Sequence, residues 1–425
     1  MSTYTIWTIG CQMNKAESRQ IADCLEMLGY QSTSVIQKAD LVVLNTCVVR
    51  QSAENRVLGM LGYLKGIKRD NPDASIIVTG CFVNSQISEL KKHFPHVAFF
   101  FKPGEYQELL NWAHEQKIPV RQGNDNAAED SREGTTAFLP IIQGCNNFCS
   151  YCIVPYRRGR EKSHPIAEII AEVTSLMRKG VKEITLLGQN VNSYGHDLAE
   201  NPDLSELLQT LNGIDALARI RFLTNHPKDM SLKLIKSMAR LDKVCEHITL
   251  PLQSGDDSIL RAMKRGYTVE QYCNLINTIR SHIPEVALST DVIVGFPGET
   301  EEQFHHTLAL IEQIRFDTVH IAPYSPRQGT VAAQEFEDSV STKVKRERLD
   351  MVELIQAQTA GTINSRLEGS VVEVLVEGRK RGKWYGRTRG DKLVFFQGKG
   401  SYDGQLVNIL ITRTSPWALQ GEDKN

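Results

Sequence analysis

The stretch GCNNFCSYCIVPYRRGRE, residues 144–161, places Cys145, Cys149 and Cys152 in the spacing C-x3-C-x2-C, with a basic run directly behind them. Three thiolates on one short loop can hold three irons of a cubane iron-sulfur cluster and leave the fourth iron without a protein ligand. An iron left open can bind a substrate. Zinc competes for such a triad, but structural zinc takes four ligands, usually paired C-x2-C units with a distant second pair or histidines. No second pair lies nearby and His164 is the only close histidine, so ligand number favours iron and sulfide. A second set, Cys11, Cys47 and Cys81, is scattered along the chain but shares one context. Each follows a short apolar run (TIWTIG, LVVLNT, SIIVTG), which puts each just beyond the C-terminal end of a strand. In an open parallel sheet those ends share the edge where ligands bind, so the three thiols would converge there. Taken singly, each is also a small residue suited to burial. Cys24, Cys245 and Cys273 lack that placement and read as core.

The elements that must carry these thiols follow from periodicity. From residue 1 to 120, short β-branched or aromatic runs alternate with helical patterns such as AESRQIADCLEML, the signature of an N-terminal open parallel α/β domain. Residues 121–136 (RQGNDNAAEDSREGTT) are polar, charged and nearly free of large apolar side chains, as a linker is. Over 137–365 the alternation resumes with six strand-like runs, FLPIIQG, EITLLGQ, ARIRFLT, EHITLPL, ALSTDVIVGF and TVHIAPY, separated by helical stretches. This predicts a central partial (β/α)6 barrel, and the cysteine loop then lies at the C-terminal end of its first strand, the barrel edge where chemistry occurs. A long charged helix over roughly 339–365 leads into residues 366–425, where SVVEVLVEG, KLVFFQGK and QLVNILITR predict a small all-β barrel. The chain is α/β as a whole.

Composition narrows the function classes. The chain has 425 residues, 41% of them hydrophobic and 23% charged, and a formal net charge of -1, so no global field draws it to nucleic acid or membrane. The N-terminus lacks a charged segment followed by an apolar one, and no apolar run approaches the ~18 residues that span a bilayer. The expected location is the cytoplasm. Nine cysteines there argue for metal or redox chemistry rather than for a disulfide framework.

GCNNFCSYC resembles the signature of the radical S-adenosylmethionine (SAM) enzymes, and nearly the whole chain is similar to their methylthiotransferase family. CQMN (11–14), NTCVVRQSAE (45–54) and VTGC (78–81) match in the first domain. LLGQNVNSYG, RFLTNHP, LPLQSG, MKRGYT, DVIVGFPGETEEQF and YSPRQGT follow in the family's order. The resemblance implies a radical-SAM core, a C-terminal TRAM domain, and two [4Fe-4S] clusters. Cys145, Cys149 and Cys152 would hold the cluster that binds SAM and releases a 5′-deoxyadenosyl radical; Cys11, Cys47 and Cys81 would hold an auxiliary cluster carrying the sulfur. The activity implied is insertion of a methylthio group at C2 of N6-dimethylallyladenosine next to the anticodon of tRNA, with two SAM molecules consumed. Partners implied are tRNA, a low-potential electron donor such as flavodoxin or ferredoxin, and a sulfur donor. Relatives acting on threonylcarbamoyl-adenosine or on a ribosomal-protein aspartate share the architecture but differ around the first cysteine, and CQMN favours the dimethylallyladenosine branch.

By the same similarity Gly188, Gln189 and Asn190 would support the methionine amino group of SAM, Gln253 and Ser254 its ribose or carboxylate, and the run containing Gly295 and Glu299 its adenine. Glu299 has a second reading as a cap of the helix at TEEQF. For RNA the residues themselves speak: Arg379, Lys380, Arg381, Lys383, Arg387 and Arg389 are interleaved with Trp384, Tyr385, Phe395 and Phe396, charge for phosphates and rings for bases. Strand alternation requires Phe395 or Phe396 to point inward. Arg157, Arg158 and Arg160 could meet substrate phosphates or the SAM carboxylate, or form a structural salt bridge. The family's usual Ser-Arg-Pro reads Ser163, His164, Pro165 here, which puts that arginine's charge contact in doubt.

Overall fold

A computed structural model describes residues 2–84, 86–116 and 134–424; most of the expected linker lies outside them. The chain divides into two compact units. One comprises Met1–Ser131, Phe138–Asn146 and Cys152–Glu161, the other Arg132–Ala137, Asn147–Tyr151 and Lys162–Asn425.

The first unit is built on a five-stranded, wholly parallel sheet, ordered Gln31–Ser32, Thr3–Thr8, Leu41–Thr46, Ser75–Gly80, Phe99–Phe100. Its central strand LVVLNT is buried at every position, as a strand covered on both faces must be. The period of two divides its side chains between two cores. Val42 and Leu44 pack with Val57, Leu61 and Leu64 of helix Gln51–Asp70, while Leu41 and Val43 pack with Ile21 and Leu25 of helix Gln12–Met27 and Trp112 of helix Tyr106–Glu115.

Six strands recur between residues 136 and 323: Thr136–Pro140, Glu183–Leu187, Arg219–Phe222, His247–Thr249, Ala287–Val294 and Thr318–Pro323. The second and third pair in parallel, as do the fourth with the fifth and the fifth with the sixth, and an isolated parallel bridge, Ile220 to Val244, joins the third to the fourth. The helices between them carry their own start signals. Thr268 and Thr300 each form a capping box with a glutamine three residues on, the arrangement that satisfies two orphan amides at once. The long helix runs Thr342–Ser365 with Ser341 as its cap.

The C-terminal strands close into a barrel ordered Val371–Lys380, Lys383–Thr388, Leu393–Gln397, Leu419–Asp423, Leu406–Thr414. Val374, Val376, Val394, Phe396, Ile409, Ile411 and Leu419 fill it. The strand LQGED was not expected, because two of its five residues are acidic; it closes the barrel by pairing with both neighbours. Within the same unit the barrel is tied to the core strands by charge. Arg219 donates to the Arg387 carbonyl at 2.8 Å and to Glu373 at 2.8 Å. Arg221 donates to the carbonyls of Thr388 (2.6 Å) and Arg389 (2.7 Å) and to Glu183 (2.9 Å).

Candidate functional site

Cys11, Cys47 and Cys81 follow the C-terminal ends of three adjacent strands, Thr3–Thr8, Leu41–Thr46 and Ser75–Gly80. Buried polar groups bind these ends to one another. The Asn14 amide donates to Asn45 Oδ1 and the Thr46 carbonyl, both at 3.0 Å, and its oxygen accepts from the Cys11 amide at 3.3 Å. The Cys81 amide reaches the Thr46 carbonyl at 2.8 Å. This close approach fixes Gly80, at φ 92°, because an added Cβ would collide with the Thr46 backbone. Cys47 and Cys81 are buried and Cys11 is exposed. Burial, reinforced by the neighbouring Cys81 and Cys11, pushes the Cys47 thiol up to about 12, with Arg158 opposing. Burial raises Cys81 as well, again against Arg158. Thiols so placed ionise only if positive charge enters among them, which is what a cluster of iron supplies.

The second triad hangs on a loop pinned from several sides. In the first unit, Gly144 at φ 82° lies where a Cβ would strike the Arg160 carbonyl, and the Cys145 amide donates to the Gly159 carbonyl at 3.1 Å. In the second, Ser150 donates from its amide to Met263 O (3.1 Å) and from its hydroxyl to Ala262 O (2.7 Å). Cys149, 8% exposed, accepts a hydrogen bond from Arg265 Nη1 at 3.3 Å. Among the described residues no group of His, Cys, Asp and Glu is drawn together tightly enough for a single metal ion. A cubane spreads its ligands more widely, so both triads fit a cluster by donor type and by strand-end position.

Around the C-terminal ends of the core strands, several buried polar atoms end without a partner. Asn190 gives its amide to Asp229 at 2.7 Å and leaves Oδ1 unpaired; Asn225 gives its amide to the Thr249 carbonyl at 2.9 Å and leaves Oδ1 unpaired. Gln253 Oε1 is likewise unpaired. His226 Nδ1 accepts from the Lys228 amide, so the neutral ring carries its proton on Nε2, an unpaired donor. Burial, with Arg265 and Lys228 nearby, lowers His226 to about 2 and keeps the ring neutral. Three acceptors and one donor, each 8% exposed or less, are what an amino acid with an ammonium, a carboxylate and hydroxyls would satisfy. Asn225 and His226 had no role assigned from sequence, although RFLTNHP contains them.

The other residues expected at SAM are placed as follows. Gly188 and Gln189 directly follow strand Glu183–Leu187. Ser254 is fully buried, its hydroxyl accepting from the Asp256 amide at 3.3 Å. Glu299 does not cap the helix, since Thr300 does; its carboxylate accepts from the Gly295 amide (2.6 Å) and from Arg348 (2.7 Å). Burial raises it despite these two partners. Arg158 takes the structural reading rather than a substrate phosphate: both terminal nitrogens meet the Glu17 carboxylate. His164 lies 3.7 Å from Glu168, with 44% of its side chain exposed.

On the barrel, Arg379, Lys380 and Arg381 are exposed around a hairpin turn and Lys383 is half-buried. Arg379 covers the Trp384 ring at 5.6 Å, and Trp384 packs on Tyr402 and the barrel core. Phe396 is the inward member of its pair, while Tyr385 and Phe395 share the other face 6.2 Å apart. Arg389 corrects the expectation of an open basic patch. Its guanidinium grips both Glu246 oxygens at 2.7 Å and the Val244 carbonyl, so its charge is spent inside the unit. Arg387 is partly committed to Asp391 at 3.3 Å and Glu377 at 3.6 Å. Trp417 stands 64% exposed.

A partial parallel barrel with a three-cysteine loop defines the radical SAM class, and residues 139–311 match the family described as the Radical SAM superfamily. Residues 3–102 match the Uncharacterized protein family UPF0004 and residues 365–422 the TRAM domain. A tRNA-2-methylthio-N(6)-dimethylallyladenosine synthase of Dehalococcoides mccartyi is 49% identical over 422 residues, 99% of this chain and 98% of the relative. Proteins of the same name from Chloroflexus aurantiacus and Herpetosiphon aurantiacus are 45% and 46% identical, over 98% of this chain and 91% and 96% of theirs. The chain belongs to the family of tRNA-2-methylthio-N(6)-dimethylallyladenosine synthases. In fold it resembles the radical S-adenosylmethionine methyltransferase TsrM from Kitasatospora setae, solved with cobalamin and a 4Fe-4S cluster (TM-score 0.58, 14% identity, 78% of this chain and 74% of that one).

Proposed function

We propose that this protein methylthiolates tRNA at C2 of N6-dimethylallyladenosine, as a radical SAM transferase with two iron-sulfur clusters. The observation that carries this reading is the doubled thiol triad, each at strand C-terminal ends, in a chain that matches relatives of that activity from end to end. Cys145, Cys149 and Cys152 would hold one cluster, and Cys11, Cys47 and Cys81 the other. Such clusters, when bound, supply an electron to SAM and a site for the sulfur to be transferred. The chain's own groups do the placing. Asn190 Oδ1 and Gln253 Oε1 offer acceptors to the SAM ammonium and ribose, and His226 Nε2 offers a donor to its carboxylate. Gly188, Gln189, Ser254, Gly295 and Glu299 shape the strand-end turns around them. Exposed Arg379, Lys380 and Arg381, together with Lys383, would track the tRNA backbone, with Tyr385 and Trp384 beside them for stacking. Arg387 and Arg389 would act mainly in holding the barrel. A low-potential electron donor such as flavodoxin or ferredoxin, and a sulfur donor, complete the reaction. Among the described residues no helix is long and apolar enough to cross a membrane. A tRNA substrate supports a cytoplasmic site of action.

The test is mass spectrometry of nucleosides from isopentenylated tRNA incubated anaerobically with reconstituted protein, SAM, sulfide and reductant. The 2-methylthio nucleoside is the expected product. Release of 5′-deoxyadenosine without it would keep the radical chemistry and overturn the substrate.

A further inference from the structure

We propose that each thiol triad is served by one buried guanidinium, and that Arg265, unlike Arg158, delivers an unbalanced positive charge that raises the reduction potential of the cluster held there. The inference rests on the reading that both triads hold clusters. In the first unit Arg158 donates from Nε to Cys81 Sγ at 3.2 Å, while Nη1 and Nη2 engage the Glu17 carboxylate. The pair is buried, with 3% and 7% of the two side chains exposed. Glu17 therefore cancels most of the charge, and Cys81 receives chiefly a hydrogen bond.

In the second unit Arg265 donates from Nη1 to Cys149 Sγ at 3.3 Å, from Nε to the Tyr267 hydroxyl at 3.1 Å and from Nη2 to the Pro251 carbonyl at 3.4 Å. Its guanidinium also lies 5.3 Å from the centre of the Tyr267 ring. All these partners except the sulfur are neutral, and among the described residues no carboxylate lies within ion-pair distance of it. A buried guanidinium without a counter-ion is costly. The anion it awaits is the Cys149 thiolate and the cluster behind it. Reduction adds one electron to that cluster and so one negative charge, which a fixed cation beside a ligand sulfur favours. A unit charge ~6 to ~10 Å from the electron added to the cluster, at an effective dielectric near 20, shifts such an equilibrium by about one to two orders of magnitude. Arg265 belongs to MKRGYT and Arg158 to PYRRGRE, so both follow from motifs whose arginines had no settled role.

The experiment uses the full chain with Cys11, Cys47 and Cys81 replaced by Ala, reconstituted with iron and sulfide and titrated redox-potentiometrically with detection by EPR. Arg265→Gln should lower the midpoint by at least tenfold in the one-electron equilibrium, about 59 mV. In the mirror background lacking Cys145, Cys149 and Cys152, the double change Arg158→Gln with Glu17→Gln should move the midpoint by less than half of that. A fully loaded Arg265→Gln cluster whose midpoint moves less than tenfold, or equal shifts at the two sites, overturns the proposal. If Arg265→Gln does not hold its cluster, the protein with Arg265 intact, labelled with 15N-arginine, decides. ENDOR of the reduced cluster should then show a weak 15N coupling, and its absence refutes the contact. A chain that binds no iron in either background removes the functional reading itself, and the proposal with it.

Discussion

Replacing Glu183 by Ala tests how firmly the C-terminal barrel is held. Glu183 is 4% exposed and lies 2.9 Å from Arg221 Nε and 3.9 Å from Arg219 Nη1. Those two arginines, 4% and 1% exposed, reach the barrel through the carbonyls of Arg387, Thr388 and Arg389. Removing one partner of a buried pair costs about 3 to 5 kcal/mol, because the other charge is left uncompensated. Both guanidiniums keep their carbonyl partners and Arg219 keeps Glu373, which places Glu183→Ala near the low end, about 3 kcal/mol. That is roughly a hundredfold in the equilibrium for local opening. Glu373 is the internal comparison. It touches Arg219 at 2.8 Å, but 44% of its side chain is exposed and water replaces it, so Glu373→Ala should cost no more than about 1 kcal/mol. Hydrogen exchange read by mass spectrometry on the peptide containing Arg387–Arg389 should lose about a hundredfold protection in Glu183→Ala and under about tenfold in Glu373→Ala. Equal losses in the two variants, or less than tenfold in the first, would refute the reasoning that burial decides the value of these pairs.

Alanine at Cys47 should halve the iron bound per chain, from about eight to about four atoms, with the remaining cluster still cleaving SAM; a colorimetric iron assay and 5′-deoxyadenosine release check both. Asn190→Ala or Gln253→Ala should weaken SAM binding about tenfold, the value of one hydrogen bond to a charged or buried partner, as read by calorimetry on the reconstituted protein. Burial lowers His247 to about 4 while the unfolded chain keeps the ordinary imidazole value of 6.5, so the fold binds fewer protons than the unfolded chain in that window. Its contribution is complete above about pH 6.5 and is lost as the pH falls toward 4, at roughly 1 kcal/mol per pH unit. The denaturation midpoint should therefore drop between pH 7.5 and 5.5, and by less in His247→Gln. Trp417→Ala, at a 64% exposed site, should lower tRNA affinity about fivefold or more if the ring stacks on a base, with filter binding as the readout.

The thiols and their strand ends were legible because ligand and element share one short word. A β-branched run followed by Cys states both the strand and the edge on which the sulfur lies, and strand alternation states that one of Phe395 and Phe396 fills the barrel, though not which. What the sequence concealed is the pairing of charges across long separations. Arg158 finds Glu17 at a separation of 141 residues, Arg265 finds Cys149 at 116 and Arg389 finds Glu246 at 143. No local period encodes such partners. An arginine in a basic, aromatic run reads alike whether it faces solvent or a distant carboxylate, which is why the sequence assigns Arg389 to an RNA patch. The unpaired atoms of Asn225 and His226 were hidden for a different reason: a buried polar side chain is recognisable as unsatisfied only once its surroundings are fixed.

Gly80 and Gly144 each stand directly before a thiol of a triad, in a conformation and a space that exclude a side chain. Every glycine codon is one base change from several bulkier residues. A random-mutagenesis selection for cells that have lost the modified nucleoside would therefore recover these two positions beside the cysteines. Their alleles would retain all six ligand codons. A geneticist mapping the cluster sites from such alleles would count more positions than there are sulfurs, and the surplus would mark where the backbone, rather than the thiol, sets the placement.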